Sequence, residues 1–212
     1  RKWATTFIFL TRKNCKMSSR ALDQSYWENR WQNNQTGWDI GHVSTPIKEY
    51  FDQVKDKSLR ILIPGCGNAW EGEYLYSIGF KNVYLLDIAP SAIDHIKQRV
   101  TTFPHEQILL DDFFKIDDQF DIIVEQTFFC ALDPSLRQAY VENAYRLLKD
   151  DGKIVGLLFD TDFGNDHPPF GGSKAEYERY FSALFNFKHF ERSKNSIKPR
   201  MGSELFINLE RA

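Results

Sequence analysis

Apolar residues fall in short unbroken runs separated by amphipathic stretches. The runs are LRILI at 59–63, VYLL at 83–86, ILL at 108–110, FDIIV at 120–124 and KIVGLLF at 153–159. Runs of this kind predict strands buried on both faces. Between them the spacing turns helical. Ile47, Tyr50, Phe51 and Val54 share one face after a Thr45-Pro46 start, with Thr45 as the cap. A helix is expected from Trp70 to Ser77, stopped by Gly79. Ser91-x-x-Asp94 reads as a capping box opening a helix that carries Ile93, Ile96 and Val100. Asp133-Pro134 caps another, with Leu136, Tyr140, Ala144 and Leu147 as its stripe, and Asp151-Gly152 turns the chain into the next strand. Ahead of all this, residues 23–34 form a helix with an aromatic face of Tyr26, Trp27 and Trp31, followed by a loop over 35–42. The tail departs from the pattern. A helix near Tyr177–Leu184 precedes two strand-like segments, near 186–192 and 204–210, with no helix between them.

Alternating strands and helices predict an α/β fold: a doubly wound, Rossmann-like, mostly parallel seven-stranded sheet with helices on both faces. The tail adds a C-terminal antiparallel hairpin. Right-handed crossovers bring the carboxyl ends of the parallel strands to one edge, where ligands of such sheets bind. Those ends read Pro64-Gly65-Cys66-Gly67, Asp87, Asp111-Asp112 and Glu125-Gln126. Two glycines allow a ligand close to the backbone, and Asp87 can accept from both hydroxyls of a ribose. Asp111 or Asp112 can accept from an adenine amino group. Each has a plainer reading as well: a tight turn for the glycines, a helix-start carboxylate for Asp87, loop acids for the pair. Taken together they describe an adenosine site. A dinucleotide fold wants a third glycine where Trp70 stands, and no phosphate loop is present. The edge is acidic and aromatic, which suits a cationic ligand such as S-adenosylmethionine.

Composition narrows the classes. In 212 residues there are 27 Lys/Arg and 29 Asp/Glu, a formal net charge of −2 with no basic footprint for nucleic acid. No apolar run approaches a membrane span. Three cysteines, Cys15, Cys66 and Cys130, lack metal-ligand spacing and cannot all pair, so a reducing, cytoplasmic setting is expected and no metal. Residues 1–16 carry five Lys/Arg and no acid and read as a leader. Residues 17–212 then form a single domain whose residues 23–42 make an aromatic lid.

IPGCGNAWE, LLDIAPSAI and LLKDDGKIVGLLF resemble a class I S-adenosylmethionine-dependent methyltransferase. WENRWQNNQTGWDIG and DDFF…FDIIVEQTFFCAL narrow the resemblance to the thiopurine S-methyltransferase superfamily, closest to its halide/thiol methyltransferase branch. The resemblance implies that Trp27, Trp31 and Trp38 contact the cofactor. It places the motif glycine on Gly65, the ribose acid on Asp87 and the adenine-side pair on Asp111 and Asp112. An Asp-Tyr dipeptide of the branch is Glu125-Gln126 here, which leaves the backbone of Gln126 to serve. A Pro-Pro-Tyr segment is Pro168-Pro169-Phe170.

The implied reaction is in-line methyl transfer to a small sulfur or halide nucleophile: a thiol, hydrosulfide, thiocyanate or iodide. Such an acceptor needs no general base, so no catalytic side chain is assigned. Excluding water and fixing the line of attack suffice. Phe128, Phe129, Cys130, Phe163 and Phe170 are candidate walls of an apolar acceptor pocket, or ordinary core. Three alternatives stay open: another small-molecule methyltransferase on this scaffold, a non-catalytic S-adenosylmethionine-binding module, and a nicotinamide oxidoreductase.

Overall fold

β1 (Ile61–Pro64) is buried at every position. Leu62 faces one apolar core while Ile61 and Ile63 face another, as a two-sided strand requires. The computed structural model describes residues 22–212, so the leader expected at 1–16 lies outside the described residues. The chain runs α1 (Gln24–Gln32), α2 (Thr45–Asp52), β1, α3 (Trp70–Ser77), β2 (Val83–Asp87), α4 (Pro90–Arg99), β3 (Ile108–Leu110) and β4 (Phe120–Gln126). It continues through α5 (Arg137–Leu147), β5 (Leu148–Phe159), α6 (Lys174–Phe181), β6 (Phe185–Arg192) and β7 (Glu204–Arg211). The seven strands pair in the order β3-β2-β1-β4-β5-β7-β6. The first five are parallel, while β7 lies antiparallel between β5 and β6.

Strand order reverses between β1 and β4, so the turns that follow these two strands are neighbours. That is the switch point at which open α/β sheets bind ligands. One core packs Ile47, Phe51, Leu75, Ile93 and Ile96 of α2, α3 and α4 on the sheet. The other packs Tyr140, Val141, Ala144 and Leu147 of α5 with Tyr177 and Phe181 of α6. No helix among the described residues is long and apolar enough to cross a membrane.

Several local expectations are corrected. Ser44, not Thr45, precedes α2, and its amide donates to the Glu71 carboxylate at 3.0 Å. Ser91 does not cap α4. The cap position is Ala89, and the amide and hydroxyl of Ser91 donate to Glu28 of α1 at 2.9 and 2.5 Å. Asp133 opens a short 3-10 turn, Pro134–Leu136, that runs into α5, and Leu136 is 39% exposed instead of lying on the apolar stripe. Asp151-Gly152 does not precede β5 but sits inside it, where the pairing with β4 shifts register and Asp151 takes φ +62°. The last helix begins at Lys174 and ends at Phe181.

Candidate active site

The turn after β1 is shaped by two left-handed glycines, Gly65 at φ +57° and Gly67 at φ +52°. Its hydrogen bonds go to β2. Cys66 donates its amide to Leu86 O at 3.0 Å, and Gly67 donates to Asp87 Oδ2 at 3.0 Å. The other oxygen of Asp87 accepts from Ala89 at 2.9 Å. Asp87 is only 8% exposed. Burial raises its pKa, the amide bonds oppose that, and the charge of Glu28 adds to it. Each carboxylate oxygen retains a lone pair beyond its amide. Both the plain reading of Asp87 and the ligand reading therefore fit one residue.

The two glycines make room for different things. A side chain at Gly65 would collide with the ring of Phe128, so that space is filled by protein. A side chain at Gly67 would come within 3.9 Å of Trp31 and Trp38. Trp27 meets Trp38 edge to face at 5.7 Å, which gathers all three tryptophans beside the turn. Docking of α1 puts them there. Glu28 grips Ser91, and Gln24 donates to Ile88 O at 3.0 Å, so α1 lies across the β2–α4 connection.

The loop carrying Trp38 is fastened by residues that the sequence reading missed. Asp39 accepts from the Trp70 indole at 2.7 Å and from the Asn68 amide at 2.5 Å. Arg99 stacks over Trp70 at 4.0 Å. Arg200 donates to the carbonyl of Trp38 at 2.8 Å and faces Glu204 at 3.5 Å. Trp70 thus anchors the loop bearing Trp38 at the position where a dinucleotide fold has its third glycine. No motif signals these bonds, because Asp39 and Trp70 are separated by 31 residues and Trp38 and Arg200 by 162.

Asp111 and Asp112 follow β3. Asp111 is exposed and accepts the amide of Asp112 at 2.7 Å, while Asp112 accepts from Phe114 at 3.0 Å and faces Lys115 at 3.5 Å. Gln126, at the end of β4, holds a buried Oε1 with no hydrogen-bond partner. The next turn sorts the proposed pocket walls. Phe128 stands over Gly65. Phe129 instead points into the core, 1% exposed between Tyr140 at 5.0 Å and Tyr177 at 5.5 Å. Cys130 is 7% exposed, and burial pushes its thiol up to about 12, which makes it a poor nucleophile. Phe170 donates its amide to Cys130 O at 2.7 Å. Phe163 is exposed and packs on Phe159 at 5.0 Å.

A cavity of about 700 Å³ lies elsewhere, in an open groove between α6 and β6 lined by Lys174, Arg179, Phe187 and His189. It contains neither strand carboxyl ends of the parallel sheet nor the glycine turn. The switch point is therefore the better candidate.

The thiopurine S-methyltransferase family matches residues 22–207. The chain belongs to the thiopurine S-methyltransferase family. It is 30% identical over 184 residues to a probable thiol methyltransferase 2 of Arabidopsis thaliana, covering 84% of this chain and 81% of that one. It is 27% identical over 195 residues to thiocyanate methyltransferase 1 of Brassica oleracea, covering 89% and 86%. In fold it resembles the 1,6-didemethyltoxoflavin-N1-methyltransferase of Burkholderia thailandensis, with a TM-score of 0.72, 15% identity and coverage of 89% and 87%.

As a member of this family the protein is an S-adenosylmethionine-dependent methyltransferase. The residues at the switch point fit that cofactor chemically. Asp87 keeps acceptor capacity for hydroxyls, Gln126 Oε1 is a buried acceptor without a partner among the described residues, and the indole edges of Trp31 and Trp38 come beside Gly67. These candidate residues come from the ends of β1, β2 and β4 and from α1 with the loop that follows it.

Proposed function

We propose that this methyltransferase acts on a small, soft sulfur or halide nucleophile, such as a thiolate, hydrosulfide, thiocyanate or iodide. The cofactor, when bound, supplies an electrophilic methyl group on a sulfonium. Trp27, Trp31 and Trp38 would cover it, Asp87 would take its ribose hydroxyls, Asp111 and Asp112 would stand on the adenine side, and Gln126 would receive a polar hydrogen. The observation that carries the acceptor reading is the character of the residues proposed as the acceptor wall. Phe128, Phe163 and Phe170 are apolar, and the one nucleophilic group among them, Cys130, is a thiol pushed up to about 12. None of these four side chains supplies a base. A thiol with pKa near 8.5 is already partly ionised at neutral pH, and halides and thiocyanate carry no proton to remove. The wall's work is to strip water from the nucleophile and hold it in line. The positive charge of Arg200 partly opposes the rise that burial imposes on the Cys130 thiol, and it would favour an anion there in the same way. The thiol and thiocyanate methyltransferases among the relatives support the same reading.

The test is methyl transfer from isotope-labelled S-adenosylmethionine to iodide, thiocyanate, hydrosulfide, an aryl thiol and a thiopurine. Label in a volatile halide or small thioether is the expected result. Transfer to the thiopurine alone would replace this reading with the one in the family's name. Cofactor binding with no transfer to any of them would overturn the sulfur and halide reading.

A further inference from the structure

Glu125 stands one residue from the end of β4 and has no solvent exposure. Among the described residues no basic side chain is bonded to it. Three donors converge on it instead. The amides of Phe128 and Phe129 donate to one carboxylate oxygen at 2.8 and 2.9 Å, and the Tyr140 hydroxyl donates to the other at 2.8 Å. A buried carboxylate with no counter-charge is costly to keep, so packing alone is a poor reason for it. Burial pushes its pKa up to about 7 against the pull of these three bonds.

What the three bonds hold is the turn after β4. Thr127 there takes φ +60°, a backbone that a β-branched residue rarely adopts, and its carbonyl accepts the Cys130 thiol at 3.3 Å. The turn delivers Phe128 into the space above Gly65 and Cys130 O to the amide of Phe170. One carboxylate therefore lies beneath both the wall against the glycine turn and the anchor of the Phe170 loop.

We infer that Glu125 is a positioning residue for methyl transfer: its ionised carboxylate keeps the turn at residues 127–131 in the shape that sets Phe128 against Gly65 and fastens Phe170. This rests on the reading that the acceptor is received at that wall. The geometry fits the ionised form because all three partners are donors. A proton on the second oxygen would face the Tyr140 hydroxyl, which would have to turn away inside a closed core. Tyr140 itself stays a donor, since burial and the Glu125 charge push its phenol well above its ordinary range. From the turn, the Cys130 thiol also faces the carboxylate. Arg137 of α5 lies over the Phe129 ring at 5.1 Å and is engaged by Glu176 at 2.6 Å. Tyr177 of α6 donates to Phe159 O at 2.6 Å. β1 presents apolar residues, and β5 pairs Glu125 with Gly156.

The experiment follows the amide resonances of Phe128 and Phe129 by NMR in the full chain as pH crosses about 7. The two should shift with one shared midpoint. Glu125→Gln should abolish that step, and Tyr140→Phe, which removes a stabilising donor, should move the midpoint upward. In parallel, Glu125→Gln should lower kcat about tenfold for the best acceptor, while S-adenosylhomocysteine affinity changes less than about twofold. In the wild type kcat should fall as pH drops through about 7. Amides that ignore pH, or an unchanged kcat once the step is lost, would overturn the assignment. If Glu125→Gln does not fold, the midpoint in Tyr140→Phe decides, and an unmoved midpoint counts against it. A wild type that methylates none of the acceptors overturns the acceptor reading instead, and the amide titration still judges the hold of Glu125 on the turn.

Discussion

At Asp87 one carboxylate holds the amides of Gly67 and Ala89 and still has lone pairs to spare. Asp87→Ala should weaken S-adenosylmethionine binding by about 1–3 kcal/mol, and Asp87→Asn, which keeps one acceptor oxygen, by less. Calorimetric titration checks this, and equal affinity in all three proteins would remove Asp87 from the site. Glu125 makes a prediction about stability. Its pKa in the folded chain lies near 7, above the ordinary 4.5, so the folded state binds the proton more tightly. Its contribution to stability is complete below pH about 4.5 and is lost as pH rises through about 7, a change on the order of 3 kcal/mol. Urea midpoints measured across that range should fall with pH for the wild type and stay flatter for Glu125→Gln. The place of Asp87 at the end of β2 was legible because a strand end with an acid is a local pattern. The inward turn of Phe129 was not. Phe128 and Phe129 are identical neighbours, and the shape of the turn, with Thr127 at φ +60° and both amides on Glu125, decides which ring is fully buried.

Among the elements, the clearest lesson comes from α4. Ser91-x-x-Asp94 has the spacing of a capping box, yet Ser91 is taken by Glu28, 63 residues away. Local pattern was outbid by a tertiary acceptor that a helix start attracts for the same reason, unpaired amides. Ser44 is claimed by Glu71 in the same way. The α1 helix was legible from its aromatic spacing, but the fastening of the loop after it was not, because Asp39, Trp70 and Arg200 meet only in the fold. Asp39→Ala should free the loop bearing Trp38. We expect cofactor affinity to fall about tenfold, the loss of about one to two charged hydrogen bonds, with a change in intrinsic tryptophan emission. Unaltered emission and affinity would show that the loop holds its place without Asp39.

For the whole molecule, the two cores set which substitutions cost stability and which cost activity. Phe129→Ala should lose about 3–5 kcal/mol in urea denaturation, since the ring is packed among Tyr140, Tyr177 and Phe181. Phe163→Ala, at an exposed position, should stay within about 0.5 kcal/mol and act instead on acceptor KM. A stability loss at Phe163 as large as at Phe129 would contradict this division.

The sequence by itself determined the strand–helix alternation, the two-sided burial of the parallel strands, the antiparallel tail and the glycine turn with Asp87 beyond it. These follow from periodicity and from residues adjacent in the chain. Only the tertiary structure decided that Phe128 fills the space over Gly65, that Glu125 gathers three donors, and that Arg200 reaches the lid at Trp38. The physical reason is the same in each case. A buried polar group must find its partner wherever the folded chain brings one, and no local spacing records that distance.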